Sequence, residues 1–553
     1  MNVRSKRRAL TVAALGALAG LPAAPALASD TSTEIRLLKA RLKQLEAKVS
    51  EQSRHEREDR KSRGGSGGKA VSEAQSASTF NVDLSKGLKI ESQDHANSFR
   101  LGGRIYVDGG GSSHPERGSS GTANITQARL QVEGKFHHIW EYKFQYDFAN
   151  TSAVGAVGGI RDAFILLKHP ALKVPFATDP IAIQVGNFYE PHGLERTQSK
   201  NTVDFIERSL ATDTFGASRH IGAALIAHGS NWSAKGGVFT TSPEDKAAAP
   251  AFGVPVPPWV RPAAGWVATG GGQYFDVSGR LTYAPVVADD RLIHLGVSGR
   301  YHRPNDATGV NDDRVMFLGA NTNAESNVLK ENLLGTPDLS CGAVPGPIGN
   351  PAVAGKCVKD VLGYGAEFVG SYGPVSIQAE YLGAHYDRKG GSILAANAAG
   401  AFAPGGTSLD FDGYYVYGTW YLTGESRAAS YQVNDSNPGN FRQIKIKNTL
   451  SSGGYGAWEL AARFSSVNLN NGPAGSYFAN LLAVSRGSRA VANGSVLGGH
   501  EQDLTVGVNW YPEPGIRVMA NWTRVMHLTA PWDRAYLNGA HPNTFLVRTQ
   551  IDW

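Results

Sequence analysis

The sequence predicts an all-β chain, a transmembrane antiparallel β-barrel of about 16 strands, preceded by a short N-terminal coiled-coil helix. Three observations carry this expectation. From about Phe80 onward, apolar and polar residues alternate with period two over runs of eight to eleven residues. The chain closes on Phe545, Val547, Thr549, Ile551 and Trp553 along one face, with Leu546, Arg548, Gln550 and Asp552 along the other. Tight turns at Tyr372-Gly373-Pro374 and Pro512-Glu513-Pro514-Gly515 contrast with long connections over Ala247–Gly271 and Ala320–Lys359.

Alternation alone fits two architectures. In a soluble sandwich the polar face meets solvent, whereas in a membrane barrel it lines a watery interior and the apolar face meets lipid. Strand length and turn asymmetry separate them. Eight to eleven residues suit a tilted bilayer crossing, and short turns on one side with long loops on the other mark a transmembrane barrel. Aromatics near strand ends, Tyr414-Tyr415-Val416-Tyr417 with Trp420-Tyr421 and Trp510-Tyr511 with Trp522, suit the two interfaces. As a barrel strand, the last stretch would close on the first, with Arg548, Gln550 and Asp552 facing water in the pore. About 460 residues at roughly 25 to 30 per strand and its loops give about 16 to 18 strands, enough for an aqueous channel.

Composition agrees. Hydrophobic residues make up 41% of the chain and Gly 66 is high, which excludes a helical membrane protein and suits many strands and turns. The net charge of +6 resides in the N-terminal 63 residues, so the body is nearly neutral and carries no nucleic-acid signature. Any anion preference must come from local placement of charge.

Before the barrel, residues 1–28 have the pattern of a signal peptide: Arg4 to Arg8 are basic, Ala9 to Leu21 apolar, and Ala26-Leu27-Ala28 supplies small residues for cleavage. Residues 29–52 form a coiled-coil segment, with Ile35, Leu38, Leu42, Leu45 and Val49 in 3-4-3-4 spacing between charged neighbours. Two heptads are marginal alone and need an oligomer assembled elsewhere. Residues 53–80 form a flexible linker, and the glycine-serine run at Gly64–Gly68 matches a serine-elbow pattern without the strand it requires. The barrel domain spans 81–553. Both termini then lie in the periplasm, with the long loops outside.

Early strands place Arg100, Arg104, Arg129, Lys135 and Lys143 on the polar face, opposite residues such as Phe99, Ile105, Leu130 and Phe144. Several segments carry a family resemblance: Gly186-Asn187-Phe188-Tyr189-Glu190-Pro191-His192-Gly193-Leu194-Glu195, Phe205–Leu210, Tyr421–Arg427, Gly456–Ser465 and Val508-Asn509-Trp510-Tyr511-Pro512. On these the chain resembles the phosphate-selective porin O/P family of the outer membrane, from about position 99 to 553. The resemblance implies a 16-stranded homotrimeric barrel with one pore per subunit, and a third loop, about 187–219 here, folded into the lumen as a constriction. It further implies phosphate or other small anions as solutes, with Arg196, Lys200, Arg208 and Arg219 in the loop joining the strand cations along the pathway. Glu190, Glu195, Asp204, Glu207 and Asp213 lie among them and oppose that field. Closely spaced cations replace the hydration shell of a passing phosphate, and low-dielectric walls focus their field.

Cys341 and Cys357 share one long loop of an exported chain and are expected to form a disulfide. No His pair at i,i+4 with a third ligand appears, and no nucleophile with its base, so neither metal, cofactor nor enzyme activity is expected. The alternative to a passive channel is a structural trimeric barrel tethered toward the cell wall by its coiled coil, with non-selective permeation.

Overall fold

The fold is given by a computed structural model, which describes residues 80–83, 87–114, 118–149, 159–240, 242–243, 275–304, 332–336, 343–344, 353–354, 358–388, 408–434, 436–472 and 496–553. The signal-peptide segment, the coiled-coil segment and the linker up to Thr79 lie outside the described residues, as do Cys341 and Cys357.

Eighteen strands form the main sheet; two belong to an N-terminal hairpin and the other sixteen close a barrel. In chain order the barrel strands are β1 (Ser98–His114), β2 (Gly118–Phe136), β3 (Trp140–Asp147), β4 (Ile160–Leu167), β5 (Ala182–Tyr189), β6 (Arg219–His228), β7 (Trp232–Phe239) and β8 (Phe275–Val287). They continue as β9 (Arg291–Arg303), β10 (Val358–Tyr372), β11 (Val375–Arg388), β12 (Ser408–Tyr421), β13 (Ala457–Asn471), β14 (Val496–Glu513), β15 (Ile516–Thr529) and β16 (Asn543–Asp552). Each pairs antiparallel with the next. β16 closes on β1, from Asn543 opposite Ser113 to Asp552 opposite Arg104.

Closure leaves the start of β1 overhanging the end of β16. Trp553 and Gly103 exchange backbone hydrogen bonds at 3.0 Å, and beyond them Ser98–Leu101 pair with Leu88–Glu91 of the hairpin. The hairpin therefore covers the unpaired edge that a staggered barrel seam exposes.

Alternation sorts the side chains as expected. On β16, Phe545 and Ile551 are 51% and 44% exposed, while Thr544, Leu546, Arg548 and Gln550 are buried inside. Phe99, Ile105, Val107, Leu130 and Phe144 likewise point outward, and Arg104, Tyr106, Asp108 and Arg129 inward. A sandwich would bury the apolar face; here that face is the outer belt, which is the arrangement lipid demands.

Three expectations change. Strands run from 8 to 19 residues, because β1, β2 and β14 extend past the length a bilayer crossing needs. The end-of-strand aromatics split by the same period: Tyr414, Trp420 and Trp522 face outward, whereas Tyr415, Tyr417, Tyr421 and Tyr511 face inward and are buried. The side bearing the tight turns at 288–290, 373–374 and 514–515 also carries a long connection, 422–456. That connection folds inward, where Lys235 of β7 donates to Ser436 O and Arg280 of β8 to Pro438 O and Gly439 O.

Candidate permeation pathway

The connection from β5 to β6, residues 190–218 and the third on its side of the barrel, enters the interior. It is a few residues shorter than expected at its start, because Asn187–Tyr189 remain paired with Ile221–Arg219 in the ladder. Gly186 sits at φ 136 with the position of a Cβ only 2.2 Å from Ala163 O, which explains the glycine that opens this segment.

Apolar residues decide that the loop folds inward. Phe205 packs on Tyr415, Tyr417 and Ala461; Ile206 packs on Met519 and Leu546. Leu210 and Phe215 of the short helix α2 (Leu210–Phe215) join Val361, Tyr386 and Phe411 on the wall. Each such side chain contributes roughly 1.5–3 kcal/mol on burial. Leu546, the apolar residue on the otherwise polar face of β16, thus has its partner.

The loop backbone is held by arginines from the far wall. Arg463 donates to Glu207 O at 3.0 Å and Arg208 O at 3.3 Å; Arg517 donates to Val203 O at 2.7 Å and Lys200 O at 3.1 Å. Arg548 donates to Ile206 O at 3.1 Å and, through Nε and Nη2, to both oxygens of Asp108 at 2.7 and 2.6 Å. Arg548 is 0% exposed. It lies inside the barrel but beneath the loop, so it does not face pore water as the sequence suggested. Gln550 is buried with it, accepting from Arg517. Of the three inward polar residues of the last strand, Asp552 lines the open cavity.

At the loop root, Glu380 of β11 accepts backbone N–H bonds from Leu194 at 2.5 Å and Glu195 at 2.9 Å, at the start of helix α1 (Leu194–Thr197). A carboxylate is suited to two converging donors, whereas an amide offers one acceptor oxygen. Glu380→Gln is therefore expected to cost about 1–3 kcal/mol of loop anchoring. Limited proteolysis of the folded channel within 190–218 checks this, with cleavage faster in the variant.

Between the loop, the 422–456 connection and the wall of β1–β6 lies a cavity of about 1670 Å³ that reaches the tight-turn rim at Lys135, Pro514 and Trp553. All nine cations singled out from the sequence line it. They differ in what they touch. Arg100 meets Glu133 at 3.0 Å, Arg129 meets Asp147 at 2.6 Å, and Lys135 meets Glu141 at 3.9 Å. Lys143 and Arg219 share Asp162 at 3.2 and 2.5 Å, and Arg219 also stacks on Tyr189 at 3.8 Å. Arg104 donates to Asn201 at the loop tip at 2.7 Å, where the Tyr106 hydroxyl also bonds. Within the loop, Arg196 donates to Ser218 at 2.8 Å and Arg208 to Glu195 O and Gln198 O, both at 3.0 Å; Lys200 is buried, its Nζ 3.5 Å from Ile206 O.

The opposing loop carboxylates are mostly withdrawn from this space. Glu195 accepts from Ser209 N and Oγ at 3.0 and 2.9 Å, and Asp204 accepts from the Tyr417 hydroxyl at 2.7 Å. Lys89, Arg161, Lys168, Arg442 and Lys445 also line the cavity and were not singled out from the sequence. Strand alternation carried through β4 would have missed Arg161, since it places Asp162, Phe164 and Leu166 on the inner face; the register against β3 shifts between Phe144 and Tyr146, next to Arg161, and Arg161 joins the lining. Arg442 and Lys445 had no signal either, since nothing local states that 422–456 turns inward. Among the described residues, the lining holds fourteen Lys and Arg against six Asp and Glu.

A closed antiparallel barrel with an apolar outer belt and a charged, watery interior is the build of a passive outer-membrane channel. The family model described as "Phosphate-selective porin O and P" matches residues 99–553, and the chain belongs to that family. Porin O of Pseudomonas aeruginosa is 22% identical over 452 residues, covering 79% of this chain and 85% of that one. An uncharacterized protein of Caulobacter vibrioides is 24% identical over 380 residues, covering 68% and 62%. Among solved structures, the outer membrane channel DcaP of Acinetobacter baumannii aligns with a TM-score of 0.42 at 10% identity, over 84% of this chain and 99% of that one. Family and fold point to a channel rather than an enzyme.

Proposed function

We propose that this channel passes small hydrophilic solutes with a preference for anions, inorganic phosphate among them, and that loop 190–218 forms its constriction. The observation that carries this reading is the excess of fourteen cationic over six anionic side chains around one cavity, while the loop's acidic residues are turned into hydrogen bonds with the loop and wall. Low-dielectric walls focus such an excess onto a passing ion, and guanidinium and ammonium donors substitute for its water. In this reading the nine cations from Arg100 to Arg219 act as a group, with the half-exposed Arg100, Lys135 and Lys143 meeting the solute and Lys200 and Arg208 shaping the loop.

The tight-turn rim is then periplasmic, with both termini on that side, and the barrel is a homotrimer, as its family resemblance implied. An exported chain whose a/d seam at Ile35–Val49 reaches toward the cell wall adds a tethering role. Purified channel in a planar bilayer tests the main reading. Under a salt gradient the reversal potential should lie on the anion side, and added phosphate should reduce chloride conductance. Cation selectivity without phosphate block would leave a general pore, and no conductance would leave the tethered structural barrel.

A further inference from the structure

Away from the open cavity, three elements converge where the loop leaves the wall. Glu190 is the first residue after β5, His220 the second of β6, and Asp276 the second of β8. Their ligand-type atoms all lie within 4.8 Å of one another, and the three side chains are buried at 0%, 5% and 0% exposure. Ligand atoms held tetrahedrally at about 2.1 Å stand about 3.4 Å apart, so one ion fits once the Glu190 and His220 atoms, now in direct contact, part to that spacing and the wider pairs draw in.

Two further observations point to an ion. Glu190 Oε1 is buried and turned directly onto Nδ1 of the His220 ring, so two ligand-type atoms from different strands already face each other. The outer oxygens are oriented by a single guanidinium: Arg300 of β9 donates from Nε to Glu190 Oε2 at 3.2 Å and from Nη2 to Asp276 Oδ2 at 2.8 Å. Such outer hydrogen bonds are what steer ligating carboxylates. His302 Nδ1 stands 2.5 Å from Asp276 Oδ1 and adds a second imidazole. With its imidazoles neutral, as metal ligation requires, the site sets two buried carboxylates against one guanidinium, and an ion offsets the negative charge that is left.

We propose that Glu190, His220 and Asp276 bind one divalent transition-metal ion of the zinc class, with His302 and Arg300 orienting Asp276 and Glu190. Imidazole with carboxylate favours such ions over calcium or magnesium, which take oxygen alone. The ion fastens the loop root to β6 and β8. The ligands are 30 and 56 positions apart in sequence, which is why no spacing motif announces them. This inference is independent of anion preference.

Tag-free, chelator-stripped channel is titrated with Zn²⁺ and, separately, Co²⁺. About one ion per chain is expected by elemental analysis, with Co²⁺ giving the visible absorption of a nitrogen- and oxygen-ligated site. His220→Gln and Asp276→Asn should each lower occupancy at least tenfold at limiting metal, whereas His385→Gln, which alters a histidine paired with Asp410 elsewhere on the barrel, should not. Uptake well below one ion by the wild type overturns the proposal, as does undiminished uptake in variants that keep the heat-modifiable barrel mobility. If both variants fail to assemble, X-ray absorption on zinc-loaded wild type decides. Imidazole scattering around the ion supports the site, and its absence overturns it.

Discussion

Reversing Arg100 and Lys143 together to glutamate is expected to lower the anion-to-cation permeability ratio about tenfold. The change removes two positive charges and adds two negative ones on the cavity wall. At about 10 Å in water-like dielectric each unit is worth about 0.4 kcal/mol to a passing ion, or about 1.7 kcal/mol for four, before screening. Both side chains are partly exposed, so the barrel tolerates the reversal. Each new carboxylate would face an existing one, Glu133 or Asp162, and Arg219 still neutralises the latter at 2.5 Å. Reversal potential in a salt gradient measures the shift; an unchanged value removes these two residues from the pathway. Lys200 and Arg208, two of the four loop cations, are poorer probes. Reversing Arg208 also breaks its bonds to Glu195 O and Gln198 O, so selectivity and loop position would change together.

The second large effect is structural. Arg548→Met is expected to destabilise the folded channel by about 3–5 kcal/mol, because it leaves Asp108 as a buried, unpaired charge. It also frees Ile206 O and loosens the seam between the first and last strands. Asp108→Asn in the same chain should recover much of the loss, since Thr126 still donates to that position and no bare charge remains. The midpoint of heat-induced mobility change on gels reads both variants, and single-channel recordings read the loop. A double variant as unstable as the single one would mean that the arginine acts through the loop carbonyl rather than through Asp108.

Much of the barrel was legible in sequence because a β-strand presents its side chains with strict period two, and lipid on one side with water on the other imposes a sharp contrast on that period. Phe545, Ile551 and Phe99 could be placed outward, and Arg104 and Arg129 inward, without coordinates. Leu546 could not be explained, since its partner Ile206 is remote in the chain. The sequence also supplied the nine cations, which the fold gathers around one cavity, but not their division into side chains open to that cavity and side chains bonded to the loop. Arg104 and Arg208 look alike as letters. One reaches the loop tip from β1, and the other closes the loop on itself.

What the sequence determined by itself was the class of fold, the family, the direction of the residues on its most strictly alternating strands, and, through the family resemblance, which loop turns inward. These follow from local periodicity and from motifs continuous in the chain. Only the tertiary structure decided that Arg463, Arg517 and Arg548 spend their charge on loop carbonyls, that 422–456 folds into the interior from the tight-turn side, and that Glu190, His220 and Asp276 meet. Each of these depends on contacts between strands far apart in sequence, brought together by closure of the barrel. Before closure, a buried arginine and a pore-lining one satisfy the same alternation; afterwards, the nearest carbonyl or carboxylate tells them apart.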